Sequence, residues 1–371
     1  MAWRFDWLRT WDDVWEPRHL ARWRAACDDP TAHATPFMHP DLVRGWLATM
    51  GGPGGFAPFF LHATHADGQE VLWLLVRPRD GLLRRLLPVG DGTGGPHFAY
   101  NDPLVVPARS AEEALAPGFW PAFERELRGR AGSWFDSVAL HRLRREVAGE
   151  AVGDPAPLGA PYVRLDAYPD FHAYMAARPS SLQKRIERKF RKAASEGRPE
   201  LHIHGPDELD AVLAWLPDLE AAQSARYPET VLAPRLLASL VTEGIGSGLV
   251  RCSVFRLDGR PMSWRIDYLL GGTLHLGFCA IDEAQGRHSP GHLHTYACLE
   301  RHMAQGGTAY DQLIGDQAYK YDWTDGAEHR LRRLRLESRA PATVARRSAA
   351  RGLGQVRRLG ERAIAAVARR G

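Results

Sequence analysis

Three strands in direct succession constrain the fold of this 371-residue chain more than any other feature. Residues 248–257, 262–270 and 273–280 are largely apolar, and the first two runs are followed by the dipeptides Asp-Gly and Gly-Gly. Two-residue turns of this kind join neighbouring strands of an antiparallel sheet. The sequence therefore predicts an antiparallel meander in the second half of the chain.

Strand-like and helix-like segments alternate over the rest of the chain. Residues 56–63 and 71–77 predict a hairpin, whereas the Gly- and Pro-rich residues 88–107 predict an irregular loop. A predicted strand at 135–140 follows a predicted helix that begins after Ser110. This order of elements indicates a mixed α/β (α+β) fold in which a sheet is flanked by helices.

Tryptophan residues are concentrated near the start of the chain. Trp3, Trp7, Trp11 and Trp15 recur in steps of four, which predicts that they share one side of a helix. We expect that side to cover the core, and stacking against a ligand is the alternative.

The composition changes most sharply at residues 147–161, where Gly, Pro and Ala dominate. We interpret this segment as the connection between two halves. The sequence therefore predicts one domain at 1–150, a second at 151–336 and an Arg-rich tail at 337–371. The tail favours either an amphipathic helix that touches an anionic surface or a solvated helix on the protein body.

The charge and the cysteines limit the classes of protein. Residues 339–371 contain nine Arg and one Glu, which leaves 39 of the 48 basic and 43 of the 44 acidic residues in the rest of the chain. The body is therefore near neutral, and no large nucleic-acid footprint is expected. The four cysteines form no CxxC pair, and neither a signal peptide nor an integral membrane segment is predicted. These features predict a cytoplasmic protein with reduced thiols.

A basic helix is predicted at residues 182–196, between a cap at Ser180 and a stop at Gly197. It carries six Lys and Arg side chains around a narrow apolar stripe of Leu182, Ile186 and Phe190. Two interpretations stay open: a solvated helix face, or a surface that faces phosphate groups.

An anion site is predicted where the meander meets the next helix. Ser289 is a good N-cap, Pro290 suits the first helical position, and Gly-Gly at 306–307 suits the stop, so the predicted helix covers 290–305. The start of a helix offers unpaired N–H groups and the positive end of its dipole, to which Arg287 adds a permanent charge. An ordinary capped helix is the alternative.

Polar residues cluster after a short predicted strand at 308–314. The cluster consists of Asp311, Asp316, Tyr319, Lys320 and Trp323. Polar groups at the ends of buried strands are often functional. A structural ion pair between Asp316 and Lys320 is the alternative.

The pattern SPG–helix–GG–x–x–YD–x–L–x–GD–x–x–YK–x–x–W resembles the CelD-like branch of the GNAT acyltransferases, which is associated with cellulose and exopolysaccharide synthesis. The basic helix, LEAAQSARY, VFRLDGRPMSW and GDGTGGPHFAYNDPL fit the same family, so the resemblance covers most of residues 50–336. It implies two tandem GNAT-like domains, each a mixed, mostly antiparallel sheet flanked by helices. The Fem-type aminoacyltransferases are related and share this arrangement.

The resemblance also implies an acyl-CoA co-substrate, acetyl-CoA or a longer thioester, whose phosphates lie before a helix. The residues that fall at this place are Arg287, His288, Ser289, Gly291 and His292. Here Ser-Pro-Gly stands where the family usually carries Gln/Arg-x-x-Gly-x-Gly/Ala.

The implied chemistry is direct attack of an amine on the thioester, which needs a base for the ammonium and an acid for the leaving thiolate. The candidate bases are Asp267, His275, Asp311 and Asp316. Tyr319 and Tyr296 are candidate acids, and Lys320 is predicted with Asp316 to be needed for turnover. A salt bridge to Arg265 is the alternative role of Asp267, and a structural one is the alternative for His275.

The amine is expected to be an amino sugar, an amino acid or a similar small molecule. Charged tRNA as the donor is a second hypothesis, motivated by the basic helix and the tail, and a non-catalytic polysaccharide-assembly protein is a third. No metal is predicted, because the histidines at 288, 292, 294 and 302 lack a familiar ligand spacing. Cys279 and Cys298 lack a motif partner, so no cysteine nucleophile is predicted.

Overall fold

The computed structural model describes residues 2–92, 95–149, 152–226 and 235–350. Within these residues thirteen strands form one sheet, and β5 and β6 pair only with each other. The strands are β1 Trp3–Leu8, β2 Phe56–His65, β3 Glu70–Pro78, β4 Arg85–Pro88, β5 Asp91–Gly92, β6 Gly95–Pro96, β7 Leu104–Val106, β8 Ser137–Arg144, β9 Asp154–Arg164, β10 Pro199–Ile203, β11 Val250–Leu257, β12 Arg260–Leu270, β13 Thr273–Ile281, β14 Ala309–Asp311 and β15 Glu328–Glu337.

Helices flank the sheet, and together with it they confirm the predicted mixed α/β architecture. The helices are α1 Trp11–Val14, α2 Pro17–Asp28, α3 Pro40–Thr49, α4 Gly52–Gly55, α5 Phe119–Arg130, α6 Arg145–Ala148, α7 Phe171–Ala176, α8 Ser180–Glu196, α9 Leu209–Arg226, α10 Leu236–Gly244, α11 Pro290–Ala304 and α12 Ala318–Tyr321. None of the helices in the described part of the chain combines the length and apolarity that a bilayer crossing requires.

The sheet consists of two halves with the same pattern of strands. In the first half β1, β2, β3 and β4 are antiparallel neighbours, and β4 pairs in parallel with β8. In the second half β10, β11, β12 and β13 are antiparallel neighbours, and β13 pairs in parallel with β14. The predicted meander of three strands is thus confirmed as β11–β13.

The two halves exchange their last strands. β9 follows the first half along the chain but pairs with β14, while β15 follows the second half but pairs with β8. β9 and β15 also pair with each other, so the sheet continues through the molecule without an edge between the halves. Separating the halves would therefore break backbone hydrogen bonds as well as side-chain packing.

Apolar side chains fill both faces of the sheet. On α5 the residues Phe119, Phe123 and Leu127, spaced four apart, are buried against the first half, as an amphipathic helix requires. Each such residue contributes about 1.5–3 kcal/mol by burial. The halves also meet through α3 and α10, where a Cβ on Gly45 would lie 3.0 Å from the backbone oxygen of Ser239.

The tryptophan prediction was wrong in part. Trp3 and Trp7 lie on β1, which pairs with β2, whereas Trp11 begins α1. The residues Trp3, Phe5 and Trp7 also alternate with polar residues, and this period of two fits a strand. The steps of four therefore combined two different elements.

Other boundaries differ from the predictions for identifiable reasons. β9 begins at Asp154, so the connection between the halves is shorter than the Gly- and Pro-rich segment. The predicted loop at 88–107 contains β5, β6 and β7. β10 was not predicted. In the tail, residues 341–350 are helical, and Arg346 donates a 2.8 Å hydrogen bond to the buried Asp136. The rest of the predicted tail, 351–371, lies outside the described residues.

Candidate functional site

One edge of β13 loses its partner half-way along the strand. The parallel register with β14 ends at the pair His275 and Asp311, but β13 continues to Ile281. From Leu276 onward the two strands therefore diverge. The backbone N–H and C=O groups on this edge of β13 are left without a strand partner and can pair with an extended ligand.

A β-bulge lies at the point of divergence. In the register with β12, Leu276 pairs with Asp267 and Phe278 pairs with Ile266, so Gly277 has no partner. A Cβ on Gly277 would lie 2.5 Å from the backbone oxygen of Ile266, which is too close for any other residue. Bulges leave a backbone group unpaired and are frequent beside active sites.

The diverging edge of β13 forms one wall of a cavity of about 1140 Å³, here called the β13 cleft. The other walls come from the residues before α11, from the first turns of α11 and from the segment after β14. Its lining residues are Arg226, Ser263, Trp264, Arg265, Leu276, Cys279, Ala280, Ile281, Glu283, Gly286, Ser289, Gly291, His292, His294, Thr295, Tyr319 and Trp323. The set includes three of the predicted cofactor residues: Ser289, Gly291 and His292.

The positive end of α11 opens on the β13 cleft, as predicted, but Ser289 does not cap it. Ser289 has a left-handed backbone (φ 54°), and its side chain makes no capping hydrogen bond. Its carbonyl instead accepts from the N–H of His292 at 3.0 Å. The first N–H groups of α11, which follow Pro290, thus lack a side-chain cap and face a cavity large enough for an anion.

Arg287 and His288 turn away from the cleft lining toward the basic helix α8. The Arg287 guanidinium donates to Glu196 at 2.9 Å, and His288 Nε2 lies 3.2 Å from the same carboxylate. Lys189 of α8 also donates a hydrogen bond to the carbonyl of Arg287. The prediction that both residues contact the cofactor thus has no counterpart in the lining of the cleft.

α8 combines both interpretations that the sequence left open. Leu182 and Ile186 are buried and Phe190 is half-buried, which confirms the apolar stripe. Lys184, Arg188 and Lys192 are exposed and form no ion pair with any residue that the structure describes. Because α8 packs against the segment before α11, these cations lie on the same side of the molecule as the start of α11.

His292 is the imidazole that borders the cleft most directly. It is half-buried on the first turn of α11, 6.2 Å from the Trp323 ring. Its Nε2 is buried and has no hydrogen-bond partner among the described residues. Burial lowers the pKa of His292, and nearby Arg185 lowers it further. The ring is therefore neutral at pH 7 and can donate or accept one hydrogen bond toward a ligand.

A second cavity, of about 1040 Å³, lies on the other side of β13 and is here called the inter-half cavity. The first half of the chain contributes Phe37, His97, Phe98 and Ala99 to it. The second half contributes Gln223, Tyr268, Leu276, Gly277, Phe278, Cys279, Gln312, Leu313, Ile314, Gln317, Tyr319 and Lys320. Leu276, Cys279 and Tyr319 line both cavities, so the cavities meet beside the bulge.

Lys320 lines the inter-half cavity but donates its hydrogens to the backbone. Its Nζ bonds the carbonyls of Gln312 and Ile314, both at 2.8 Å. Burial lowers the pKa of Lys320 to about 8. No ion pair forms between Lys320 and Asp316, which is exposed, so the suggested structural pair was wrong. By drawing these carbonyls together, Lys320 also bends the chain away from β13 and ends β14 at Asp311.

Four other predicted acids and bases line neither cavity. Asp267 is buried and forms a two-point ion pair with Arg265, at 2.8 and 3.1 Å, which is the structural alternative. His275 is buried, and burial lowers its pKa to about 4. Tyr296 packs between the rings of Phe171 and Phe190.

Asp311, the fourth, belongs to a buried network at the seam between the halves. It accepts a 2.8 Å hydrogen bond from the Tyr100 hydroxyl, and His329 Nε2 lies 3.5 Å away. Burial raises the pKa of Asp311, but its contacts with His329 outweigh burial and bring the value to about 2. His329 bonds Glu146 of the first half at 2.6 Å through its other nitrogen.

Of the predicted catalytic residues, Tyr319 and Lys320 reach the cavities, and Asp316 lies in the same loop. The sequence-based reasoning missed His97, Tyr268 and Gln312, because they come from three separate segments. It dismissed Cys279 as a nucleophile and therefore did not place it in the site. Its exposed position on a strand between apolar residues was the available signal.

A group of possible metal ligands lies apart from both cavities. The ligand atoms of His202, His204 and Glu208 lie within 4.8 Å of one another. However, the Trp215 indole donates to His204 Nε2 at 3.3 Å, so the proton of a neutral His204 is on Nδ1, which faces Glu208. These hydrogen bonds account for the group without an ion, and the absence of a metal stays a prediction.

Comparison with known proteins connects this geometry to an enzyme class. Residues 180–321 match the family model described as "Acetyltransferase (GNAT) domain". The matched segment begins with α8 and includes all of β13, the start of α11 and Lys320, so it contains the β13 cleft. No curated protein matches the sequence.

Three solved structures share the fold over most of the chain. FemX is 10% identical, with a TM-score of 0.52, over 82% of this chain and 94% of its own. The C-terminal domain of a protein from Agrobacterium fabrum, described as a lysylphosphatidylglycerol synthetase, is 10% identical (TM-score 0.52, 88% of this chain and 95% of that one). A conserved protein of unknown function from Bacteroides thetaiotaomicron is 8% identical (TM-score 0.50, 87% and 97%).

Residues 180–321 are therefore a GNAT acetyltransferase domain, and the predicted fold class is confirmed. The chain is an enzyme, an N-acyltransferase of the GNAT type.

Proposed function

We propose that the chain is an acyl-CoA-dependent N-acyltransferase that acylates a small-molecule amine by direct attack on the thioester. The observation that carries the proposal is the free edge of β13, which runs from the start of α11 to the bulge at Gly277. An acyl-CoA needs an anion site for its diphosphate and amide partners for its pantetheine arm. The β13 cleft offers both in one continuous cavity.

In this arrangement the diphosphate binds at Ser289, Gly291 and His292, where α11 presents its N–H groups. The pantetheine arm lies along the free edge of β13, and its amides pair with the backbone like an added strand. The thioester then reaches the junction of the two cavities at Cys279 and Tyr319. An unpaired backbone N–H at the bulge polarises the thioester carbonyl.

The amine enters from the inter-half cavity. None of the residues that line this cavity is Asp or Glu, and the cavity is rich in aromatic rings. Such surroundings disfavour an ammonium ion, so the amine loses its proton on entry. The nitrogen lone pair attacks the carbonyl carbon, and collapse of the adduct breaks the C–S bond. Tyr319 gives its proton to the leaving thiolate and regains one from the nitrogen.

Calorimetry with acetyl-CoA and longer acyl-CoA thioesters tests the proposal, with a variant that fills the cleft. A Cβ on Gly291 would meet only Ile281, at 3.5 Å, so Gly291→Val should fold while occupying the expected diphosphate position. We expect the wild type to bind and Gly291→Val to bind at least tenfold more weakly. Gly129→Val, on α5 of the first half with no atom within 4 Å of the added Cβ, is the matched control. Absence of heat from the folded wild type with every thioester would remove acyl-CoA as the donor.

Charged tRNA as the donor is the second candidate, because Lys184, Arg188 and Lys192 are exposed cations without ion pairs in the described structure. A binding assay with charged tRNA at low salt tests it. Replacing the three cations by Gln should reduce tRNA affinity and its salt dependence if tRNA binds there. If the same triple variant binds acyl-CoA normally and no tRNA binds to the wild type, the second candidate fails.

Two finer assignments belong to the same proposal. The motif from Ser289 to Trp323 supports the CelD-like branch and a role in exopolysaccharide synthesis. The four unpaired cysteines support a cytoplasmic location, where thiols stay reduced.

A further inference from the structure

The inter-half cavity contains polar atoms that nothing in the described protein satisfies. Four buried atoms in its lining lack a hydrogen-bond partner among the described residues: His97 Nε2, Gln223 Oε1, Tyr268 Oη and Gln312 Oε1. Tyr268 and Gln312 are each only 1% exposed. A buried polar group without a partner costs about 1–3 kcal/mol, so a concentration of them in one cavity points to a ligand that completes their bonds.

Neighbouring bonds fix what each group can offer. The Trp46 indole donates to His97 Nδ1 at 3.1 Å, so a neutral His97 carries its proton on Nε2 and donates into the cavity. Burial lowers the pKa of His97, which keeps the ring neutral at pH 7. Gln312 donates its amide N–H to the carbonyl of Lys320, which leaves its oxygen as a free acceptor. Burial raises the pKa of Tyr268, so its hydroxyl both donates and accepts.

The remaining walls are apolar and aromatic. Phe37 packs edge-on against Tyr268 at 5.4 Å, and Phe98 lies against Phe37 at 5.2 Å. Phe278 and Leu276 line the opposite side. A ligand for this cavity therefore has an apolar face and carries hydroxyl or amine groups at its edge.

The charges of the lining exclude several classes of amine. An amino acid would bring a carboxylate, for which the cavity offers no free cation in its described lining, because Lys320 is committed to backbone carbonyls. Burying an unpaired carboxylate is costly. A polyamine would bring further ammonium groups, and no carboxylate is present in the described lining to pair with them.

We propose that the inter-half cavity is the acceptor site and that its ligand is an amino sugar. This inference rests on the proposed function for the transfer step, but not for binding. The apolar C–H face of the sugar ring packs on Phe37 and Phe98, and its hydroxyls bond His97, Tyr268 and Gln312. The amine then points to Cys279 and Tyr319, where the cavities meet. Transfer replaces one N–H of the sugar amine by an N–acyl bond and releases CoA as the free thiol.

Direct binding tests the inference without any donor. Saturation-transfer NMR titrations compare glucosamine, cyclohexylamine and serine on the wild-type protein. Cyclohexylamine keeps the ring and the amine but lacks hydroxyls, while serine adds a carboxylate. We expect glucosamine to bind at least tenfold more tightly than either. A glucosamine disaccharide in the same series distinguishes a free sugar from a chain end.

The variant Tyr268→Phe removes one unpartnered hydroxyl and breaks no hydrogen bond within the described structure. We expect an unchanged melting temperature and glucosamine binding weakened about three- to tenfold, the usual effect of one lost hydrogen bond. Tyr310→Phe, on the neighbouring strand and outside the lining, should bind glucosamine like the wild type.

The outcomes separate this inference from the proposed function. Glucosamine binding that responds to Tyr268→Phe, in a protein that binds no acyl-CoA, would leave the sugar site standing and overturn the donor. Acyl-CoA binding with no preference for glucosamine over cyclohexylamine, or with no response to Tyr268→Phe, would overturn the sugar site and leave the donor.

Discussion

The two halves of the sheet share one pattern of strands but differ beyond the first strand of the parallel pair. In the second half β13 runs past its partner and leads to α11, a helix of 15 residues whose start opens on the β13 cleft. In the first half β4 ends at Pro88 and leads to the short strands β5 and β6, and then to His97 and Phe98. The described first half has no cleft of this kind along β4.

The difference indicates a division of labour. The second half alone builds the site for the donor, whereas the first half supplies one wall of the cavity for the acceptor. The strand exchange through β9 and β15 holds that wall in place, because the halves share one sheet. On this account, changes in the first half affect the acceptor and leave the donor unchanged.

The largest effect is expected where the two sites meet. Tyr319→Phe should lower kcat about 10²- to 10³-fold with little change in the KM for acyl-CoA, because the leaving thiolate loses its acid. Tyr321→Phe changes a tyrosine of the same short helix that lies outside both linings and bonds Glu328. Steady-state kinetics should find it within twofold of the wild type. Equal effects of the two variants would remove the assigned role of Tyr319.

Lys320→Met should destabilise the second half. The carbonyls of Gln312 and Ile314 lose a buried donor, which costs about 2–3 kcal/mol in the free energy of unfolding. The pKa of Lys320 is lowered to about 8 in the folded protein, so the unfolded chain binds more protons above that pH. Relative to Lys320→Met, the wild type should therefore gain stability from about pH 8 to about pH 10.4. Urea unfolding across this range checks the sign, and a difference independent of pH would contradict the burial of Lys320.

A smaller effect tests the division of labour itself. His97→Ala removes a donor that the first half contributes to the inter-half cavity. Its acceptor KM should rise about three- to tenfold, while the KM for acyl-CoA stays the same. Gly291→Val should do the opposite. If both variants raise both constants equally, the two cavities do not have separate roles.

The smallest effect is expected at the seam between the halves. Burial lowers the pKa of His329, but its hydrogen bonds to Asp311 and Glu146 raise it more, so the net shift is upward. A raised pKa of a histidine contributes stability that is complete below the unfolded value of about 6.5 and is lost as the pH rises through the folded value. The stability difference between the wild type and His329→Gln should therefore shrink above about pH 6.5. Thermal melts at several pH values measure it, and a difference that grows with pH would contradict a charged His329.

The sequence predicted the donor side far better than the acceptor side. β11, β12, β13 and α11 are consecutive, and their turns and caps are written in neighbouring residues such as Pro290. The acceptor cavity joins His97, Tyr268 and Gln312 from distant segments, and no local pattern connects them. The strand exchange was equally invisible, since β9 and β15 pair outside their own halves.

Individual residue roles were hardest to predict, because they depend on orientation. Arg287 and Ser289 lie two residues apart, yet one faces α8 and the other faces the cleft. Asp267 and Lys320 were predicted as reactive groups, but their neighbours occupy them with bonds that only the folded chain provides.

The central claim is that the thioester lies along β13 up to the bulge, and Cys279 reports on it directly. Cys279 is the exposed cysteine, while Cys27, Cys252 and Cys298 are buried. Burial raises the pKa of the Cys279 thiol, so alkylation with iodoacetamide is followed by mass spectrometry at about pH 9. Saturating acetyl-CoA should slow alkylation of Cys279 at least tenfold, and Cys279→Ser should not be labelled. If calorimetry detects bound acetyl-CoA but Cys279 is alkylated at an unchanged rate, the cofactor lies elsewhere and the account is contradicted.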